Sequence, residues 1–204
     1  MDKLNCIIPA RSKSKRIKNK NIKLINGKPL IFYVISKAKK SKVFKNIYVS
    51  TDSGKIKKIS ERYGAKVPFM RSKKLSDDFS TTNQVIKDAV IRLKLENEKY
   101  VFCIYPTAIF IKLSDIKKSL KLIKNLKADI LISTSEFNSH PLRAFKVYNK
   151  NFIKMKNPIY KNKRTQDLMK LISDAGYFYI YNVEKLLSNS IKKITYYMLK
   201  KDQG

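Results

Sequence analysis

The chain has 204 residues, and its 46 lysine and arginine residues against 15 aspartate and glutamate residues give a formal net charge of +31 at pH 7. The length fits a single domain, and a hydrophobic fraction of 43% excludes disorder as the main state. The longest apolar stretch, residues 100–111, contains Pro106 and falls well short of the ~20 residues that a membrane helix needs. Because residues 1–11 also lack a secretory cleavage pattern, we expect a soluble cytoplasmic protein with no membrane partner.

The positive charge comes mainly from lysine. Seven of the basic residues are arginine and the other 39 are lysine. Lysine on solvated helix faces accounts for such an excess, and motifs that read nucleic-acid grooves or single strands are absent. We therefore expect no specific nucleic-acid partner, although a role in binding polyanions stays open because this charge attracts phosphate backbones. Cys6 and Cys103 form no metal motif.

The chain alternates between short apolar runs that predict buried strands and amphipathic segments that predict helices. The predicted elements, in chain order, are a strand over 4–9, a loop over 10–27, a helix over 30–40, a strand over 46–52, a helix over 55–63, a short strand over 67–70, a helix over 82–95, a strand over 100–105, a helix over 113–125 and a strand over 130–133. This alternation predicts an α/β fold with a parallel sheet that helices cover on both faces. Ligands of such sheets bind beyond the carboxyl ends of the strands, so the loops after Ile8, Ser50 and Ile104 are the candidate site.

The alternation breaks over residues 136–172, which contain His140-Pro141, Asn157-Pro158 and many lysines. We interpret this segment as an excursion from a single domain that spans residues 1–204. An aromatic strand over 174–181 and a short helix over 183–187 then follow.

The loop of residues 10–21 directly follows the first predicted strand and contains serines, asparagines and several cations. Loop amides, hydroxyls and cations at a strand end can bind a polyphosphate. The loop is not a Walker motif, because the glycines and the Gly-Lys-Ser/Thr ending are missing. Composition alone slightly favours a solvated basic loop, and the position of the loop directly after the first strand makes the two interpretations equally good.

Motifs along nearly the whole chain resemble those of the nonulosonate cytidylyltransferases, the enzymes that make CMP-activated sialic-acid-like sugars. The motifs are Ile7-Ile8-Pro9-Ala10-Arg11, Ser14-Lys15-Arg16-Ile17, Lys20-Asn21, Gly27-Lys28-Pro29-Leu30, Val49-Ser50-Thr51-Asp52, Tyr63-Gly64-Ala65, Val67-Pro68-Phe69, Arg71, Leu75-Ser76-Asp77-Asp78, Thr81-Thr82, Cys103-Ile104-Tyr105-Pro106-Thr107-Ala108, Arg164-Thr165-Gln166-Asp167-Leu168, Asp174-Ala175-Gly176 and Phe178-Tyr179. The sialic acid enzymes usually carry glutamine in place of Tyr105 and lack the Arg-x-Gln-Asp-Leu stretch. The sequence is therefore most similar to the pseudaminic acid cytidylyltransferases.

The resemblance implies a Rossmann-like three-layer α/β/α sandwich of the nucleotide-diphospho-sugar transferase type, with a mostly parallel sheet. It also implies transfer of CMP from CTP to a nine-carbon α-keto acid sugar, most closely pseudaminic acid, with release of pyrophosphate. The residues that the resemblance places around the nucleotide are Ala10, Arg11, Ser14, Asn21, Arg71, Ser80 and Thr82. Arg11, Lys15 and Lys20 are the candidate catalytic cations, because they would offset charge on the leaving pyrophosphate.

The sugar side and the subunit interface are also implied by the resemblance. The candidates for binding the sugar acid are Thr107, Arg143, Arg164 and Gln166, where a guanidinium matches a carboxylate with its planar fork. In relatives the segment corresponding to residues 136–172 packs against a second subunit, which implies a homodimer. His140, the only histidine, is more often structural than catalytic in such a position.

The sequence departs from the family at several positions. Ser12-Lys13 replaces Gly-Gly, Lys18 and Ser72 replace proline, and Ile109 also replaces proline. Side chains at positions 12 and 13 would be strained if the backbone there had a positive φ. Members of the family continue into an Asp-x-Asp segment that holds Mg²⁺, for which Asp202 is no obvious substitute, so the metal ligands stay unknown. We expect this 204-residue chain to fold and bind CTP but to turn over poorly or not at all.

Two other functions stay open at this stage. The chain could activate a different acid, such as sialic, legionaminic or a Kdo-type acid, because pocket shape is not readable from one sequence. It could also be a non-catalytic relative that binds nucleotides or polyanions. The family's strand order further predicts that Cys6 and Cys103 are reduced thiols on neighbouring central strands.

Overall fold

A computed structural model of the chain describes residues 3–15 and 17–200. Arg16, which belongs to one of the motifs, and Asp202, which was considered as a metal ligand, lie outside the described residues. The strands are β1 (Leu4–Pro9), β2 (Leu24–Ile25), β3 (Lys28–Pro29), β4 (Phe44–Ser50), β5 (Tyr100–Ile104), β6 (Ile130–Glu136), β7 (Phe145–Asn149), β8 (Phe152–Met155), β9 (Ile172–Asn182) and β10 (Ile194–Met198). The α-helices are α1 (Leu30–Ser41), α2 (Gly54–Arg62), α3 (Thr82–Arg92), α4 (Leu113–Leu126) and α5 (Val183–Leu187).

Local sequence signals explain where several helices begin and end. The Ser53 side chain accepts a hydrogen bond from the Ile56 amide at the start of α2, and Gly64 adopts a positive φ of 88° just after that helix ends. Thr81 and Gln84 form a capping box at the start of α3. These caps satisfy backbone groups that have no partner within a helix, which is why the predicted helices agree closely with the observed ones.

Six strands form the central sheet, in the order β10-β6-β9-β5-β1-β4. The pairs β1–β4, β1–β5 and β6–β10 are parallel, whereas β9 is antiparallel to both β5 and β6. The predicted mostly parallel α/β sheet is therefore confirmed. No helix in the described part of the chain is long and apolar enough to cross a membrane.

Two apolar clusters cover the opposite faces of this sheet. Helices α1, α2 and α4 pack on one face, and helices α3 and α5 pack on the other. Cys6 on β1 is paired with Phe102 on β5, and both belong to the first cluster. Because successive residues of a strand point to opposite faces, Cys103 belongs to the second cluster. Both cysteines are buried free thiols on the neighbouring strands β1 and β5, as predicted, and their opposite directions exclude a disulfide between them.

Some elements differ from the sequence-based expectation. The predicted strand over 67–70 is wrong: this segment contributes only the isolated bridge from Met70 to Thr51, and a second bridge, Tyr48 to Lys66, lies just before it. Pro68 has no amide hydrogen to donate to a ladder. The short strands β2 and β3 lie in or beside the predicted loop. Strand β10 was not predicted, although its sequence Ile-Thr-Tyr-Tyr-Met is rich in β-branched and aromatic residues; it is an edge strand that pairs with β6.

Residues 136–172 leave the sheet at the end of β6 and rejoin it at the start of β9. Between these points β7 and β8 form a separate antiparallel hairpin. Every residue of β7 is exposed, as expected for a segment that the central core does not cover. Its role as a dimerisation segment stays a prediction.

Candidate functional site

A cleft of about 420 Å³ opens where β1 and β5 end. Strand β1 has β4 on one side and β5 on the other, so successive strands are added first to one side of β1 and then to the other. Open α/β sheets bind ligands at the point where the strand order reverses in this way. The residues that line the cleft are Pro9, Arg11, Lys13, Ser14, Lys20, Asn21, Arg71, Leu75, Asp77, Asp78, Ser80, Thr82, Val85, Tyr105, Pro106 and Thr107.

The loop after β1 is held against the sheet by specific hydrogen bonds. The amide of the fully buried Ala10 donates to the Ser50 carbonyl at 2.9 Å. Asn21, in a single 3₁₀ turn, is buried and donates from Nδ2 to the Arg11 carbonyl at 2.9 Å. Neither Ser12 nor the adjacent Lys13 has a positive φ. The side chains that replace the family's glycines therefore cause no backbone strain here.

Ser12 binds the carboxylate of Asp52, which follows β4. The Ser12 amide donates to Asp52 Oδ1 at 2.7 Å, and the Ser12 hydroxyl donates to Asp52 Oδ2 at 2.6 Å. Both oxygens of one carboxylate are thus engaged by one residue of the loop. Asp52 belongs to a motif quoted above, but the sequence did not identify this contact.

Two of the candidate catalytic cations share one carboxylate. Arg11 Nη2 lies 2.7 Å from Asp78 Oδ1, and Lys15 Nζ lies 2.8 Å from Asp78 Oδ2. These cations hold the pKa of Asp78 below its usual range, with the hydrogen bond from Lys15 as the largest cause. Arg11 also donates to the Asp77 carbonyl. A short acidic loop therefore neutralises Arg11, which lines the cleft, and Lys15 beside it.

Arg71 is the buried cation of the site, with only 5% of its surface exposed. Its amide donates to the Thr51 carbonyl at 2.8 Å, and its Nε donates to Ser76 Oγ at 3.2 Å. Burial lowers the pKa of Arg71, and the nearby charge of Asp52 opposes that shift. Nη2 is buried and has no hydrogen-bond partner among the described residues, which is costly for a charged donor unless a ligand satisfies it.

Hydroxyl groups also line the cleft. Thr82 Oγ1 and the Tyr105 hydroxyl form a hydrogen bond, and the Ser80 hydroxyl donates to Asp77 Oδ1 at 2.6 Å. Burial raises the pKa of Tyr105, so its phenol keeps its proton at neutral pH. Tyr105 was noted in the sequence only as a marker of the family variant, and the structure adds it to the cleft.

The predicted site residues fall into three groups. Arg11, Ser14, Lys20, Asn21, Arg71, Ser80, Thr82 and Thr107 line one cleft, as their grouping in the sequence implied. Ala10 and Lys15 do not line it; Ala10 lies beneath the loop, and Lys15 reaches Asp78. The third group is Arg143, Arg164 and Gln166.

The residues of the third group lie in the segment 136–172 and do not line the cleft of this single chain. Arg143 donates to Thr165 Oγ1 at 3.3 Å, and Arg164 lies 3.4 Å from the Asp167 carboxylate. His140 also has a local role, because Nδ1 accepts from the Leu142 amide and Nε2 contacts the Met169 carbonyl. Of the four residues predicted for the sugar side, one chain thus brings only Thr107 to the nucleotide side.

No group of three or more histidine, cysteine, aspartate or glutamate side chains within residues 3–15 and 17–200 could hold a metal ion. Near the cleft, Asp52 is engaged by Ser12, and Asp78 is engaged by Arg11 and Lys15. The described residues alone therefore do not fit a resident metal centre, and any metal there would depend on oxygens supplied by a ligand.

Comparison with known proteins relates this chain to one family. The family model described as Cytidylyltransferase matches residues 5–203. The chain is 38% identical over 176 residues to a pseudaminic acid cytidylyltransferase of Campylobacter jejuni subsp. jejuni serotype O:2, covering 85% of this chain and 76% of that protein. It is 33% identical over 184 residues to an N-acylneuraminate cytidylyltransferase of Streptococcus agalactiae serotype V, covering 89% of this chain and 44% of that protein.

A solved structure supports the fold assignment. The structure of a CMP:2-keto-3-deoxy-manno-octonic acid synthetase complexed with CTP matches with a TM-score of 0.71, covering 97% of this chain and 90% of that chain at 17% identity. At this identity the match concerns the fold, which agrees with the Rossmann-like sandwich expected from the sequence.

Proposed function

Because the chain belongs to the cytidylyltransferase family, we propose that it transfers CMP from CTP to the anomeric hydroxyl of a nine-carbon α-keto acid sugar, with pseudaminic acid as the preferred acceptor. The hydroxyl oxygen attacks the α-phosphorus and loses its proton, while the bond to the β-phosphate oxygen breaks and pyrophosphate leaves. The observation that carries this proposal is the buried Nη2 of Arg71, which has no hydrogen-bond partner among the described residues and lies in the same cleft as a cationic loop. Arg71 is suited to a nucleobase edge, and the cationic loop is suited to phosphates.

The cytidine half of the site is the more rigid. Arg71 is fixed through its amide and its Nε, so Nη2 can donate to a cytosine acceptor without losing side-chain freedom at the moment of binding. Asn21 is suited to the ribose, although its Nδ2 is already committed to the Arg11 carbonyl. Ser80 and Thr82 supply further hydroxyl groups to the cleft.

The triphosphate half is the loop after β1. Ser14 and Lys20 line the cleft there, and Arg11 and Lys15 lie at its acidic side. In phosphoryl transfer the protein contributes mainly position and charge neutralisation. We assign that role to Arg11, Lys15 and Lys20, which would offset the charge that builds on the leaving pyrophosphate.

The divalent metal that cytidylyltransferases of this fold generally use is proposed to be Mg²⁺ and to enter as the magnesium complex of CTP. Magnesium keeps waters and phosphate oxygens as ligands and needs few protein carboxylates. This form fits a cleft whose described carboxylates are already engaged.

Residues 136–172 are proposed to complete the sugar side across a homodimer. The β7–β8 hairpin exposes Phe145, Val147, Tyr148, Phe152 and Ile153 by 57–74%, which is typical of a surface that another protein covers. Dimerisation would give Arg143, Arg164 and Gln166 a role that they lack in the single chain, with a guanidinium binding the sugar carboxylate. The buried free thiols agree with a cytoplasmic location.

The test is pyrophosphate release from CTP and Mg²⁺ with a panel of pseudaminic, legionaminic, sialic and Kdo-type acids. We expect release with pseudaminic acid to exceed release with the others, and CTP to be bound in preference to GTP. Faster release with another acid would assign the chain to that acid. Binding without turnover that weakens steeply with salt and ignores the nucleobase would instead support a polyanion-binding protein.

A further inference from the structure

We propose that Asp52 is a positioning residue of the nucleotide site: it holds the loop after β1 in the form that receives the phosphates. This inference rests on the proposed function. Asp52 is not among the residues that the resemblance assigns to either substrate. Its role follows from its contacts and not from its lining the cleft.

The first observation is the pair of hydrogen bonds between Asp52 and Ser12. Two hydrogen bonds, of 2.7 and 2.6 Å, join the amide and the hydroxyl of Ser12 to the two carboxylate oxygens. Hydrogen bonds to an ionised acceptor are short and stronger than neutral ones. Because both bonds end on one residue, they fix its orientation as well as its position. Arg11, Lys13 and Ser14, the neighbours of Ser12, line the cleft.

The second observation links Asp52 to the buried arginine. The carbonyl of Thr51, the residue before Asp52, accepts the Arg71 amide at 2.8 Å. Thr51 also forms an isolated parallel bridge with Met70. The charge of Asp52 favours the charged form of Arg71, against the effect of burial. One dipeptide after β4 therefore fixes both the base-reading arginine and the phosphate loop.

The serine at position 12 gives the contact its second hydrogen bond. Glycine, the residue usual in the family, could donate only from its amide. In this chain the hydroxyl binds Asp52, so the side chain is directed to the carboxylate and strengthens the attachment. A carboxylate close to a triphosphate is unfavourable by itself, and engagement of both its oxygens by donors reduces that cost.

The decisive variants are Asp52→Ala, Asp52→Asn and Ser12→Gly, with Glu184→Gln as the matched control. Glu184 is an exposed carboxylate on α5 that is paired with Lys185, so its variant removes one negative charge outside the cleft. An asparagine can still accept the Ser12 amide and donate to the Ser12 hydroxyl. Asn at position 52 therefore tests the hydrogen bonds separately from the charge.

The measurements are calorimetric titrations with cytidine, CMP and CTP, each without metal and with Mg²⁺. We expect Asp52→Ala to weaken CTP binding by about tenfold or more and cytidine binding by much less, with Asp52→Asn and Ser12→Gly between the alanine variant and the unsubstituted chain. Combining Ser12→Gly with Asp52→Ala should add little to the alanine variant. Equal losses for cytidine and CTP, full additivity, or a loss seen only with Mg²⁺ would overturn the proposal.

Hydrogen exchange on the ligand-free chain separates this inference from the proposed function. Asp52→Ala should accelerate exchange of the amides of residues 11–15, Asp52→Asn should do so less, and the control should leave them unchanged. Unchanged exchange in the alanine variant would refute the positioning role whatever the substrate proves to be. Failure of the unsubstituted chain to prefer CTP over GTP would instead refute the proposed function.

Discussion

Replacing Arg71 with alanine should weaken CTP binding far more than replacing Lys13 with alanine. Each change removes one positive charge from a residue that lines the cleft. Arg71 is 5% exposed and has a buried Nη2 without a partner among the described residues. Lys13 occupies a position that the family fills with glycine. The two variants therefore separate a specific contact from general electrostatic attraction.

The structure sets the size of the expected loss. A hydrogen bond that involves a charged group contributes about 1.5–3 kcal/mol, which corresponds to roughly ten- to a hundredfold in affinity. Because Arg71 is desolvated, its contact with a ligand is screened little by water. For Lys13 we expect a loss of no more than a few fold, with a strong dependence on salt.

Isothermal titration with CTP at two salt concentrations measures both effects. Thermal unfolding of each variant must accompany the titration, because removing Arg71 also leaves Ser76 Oγ without its Nε donor. Arg71→Lys provides a second variant that keeps the charge but loses the planar fork. Equal losses of affinity for the Arg71 and Lys13 alanine variants, both folded, would show that the cytidine site is assigned wrongly.

Three further predictions concern other charges and surfaces. Asp78→Asn should tighten CTP binding several fold in the absence of metal, since Asp78 competes with phosphates for the same cations; weaker binding in metal-free titration would contradict this. Val147 on β7 is 74% exposed, and Val147→Asp should shift a dimer to monomer in sedimentation. Leu24 on β2, outside the hairpin, is 66% exposed, and Leu24→Asp should not cause this shift. Two backbone amides before β10 hold the pKa of Asp129 below its usual value. The stabilisation from these bonds is present above the pKa of about 3.9 that Asp129 has in the unfolded chain, and it is lost as the pH falls through the lower pKa of the folded chain. In the Asp129→Asn variant the urea midpoint of unfolding should therefore fall less as the pH is lowered.

The sequence by itself determined the elements whose signal is local. The run of buried apolar residues in β1 predicts a strand that is covered on both faces, and Thr81 with Gln84 marks the beginning of α3. The helix over 183–187 was predicted with its observed bounds. The grouping of Arg11, Asn21 and other motif residues in one cleft also followed from the sequence, because the carboxyl ends of parallel strands meet at one edge.

The tertiary structure decided what depends on partners far apart in the chain. Strand direction is one such property: β9 has a clear strand pattern, but only its pairing with β5 and β6 makes it antiparallel. The place of β10 at the sheet edge, beside β6 and not beside the preceding strand β9, is another. In the site, the contacts of Asp52 with Ser12 and of Asp78 with Lys15 join segments 40 and more residues apart. Composition and spacing carry no information on which cation meets which carboxylate, because that choice is made by the geometry of loops after the sheet has formed.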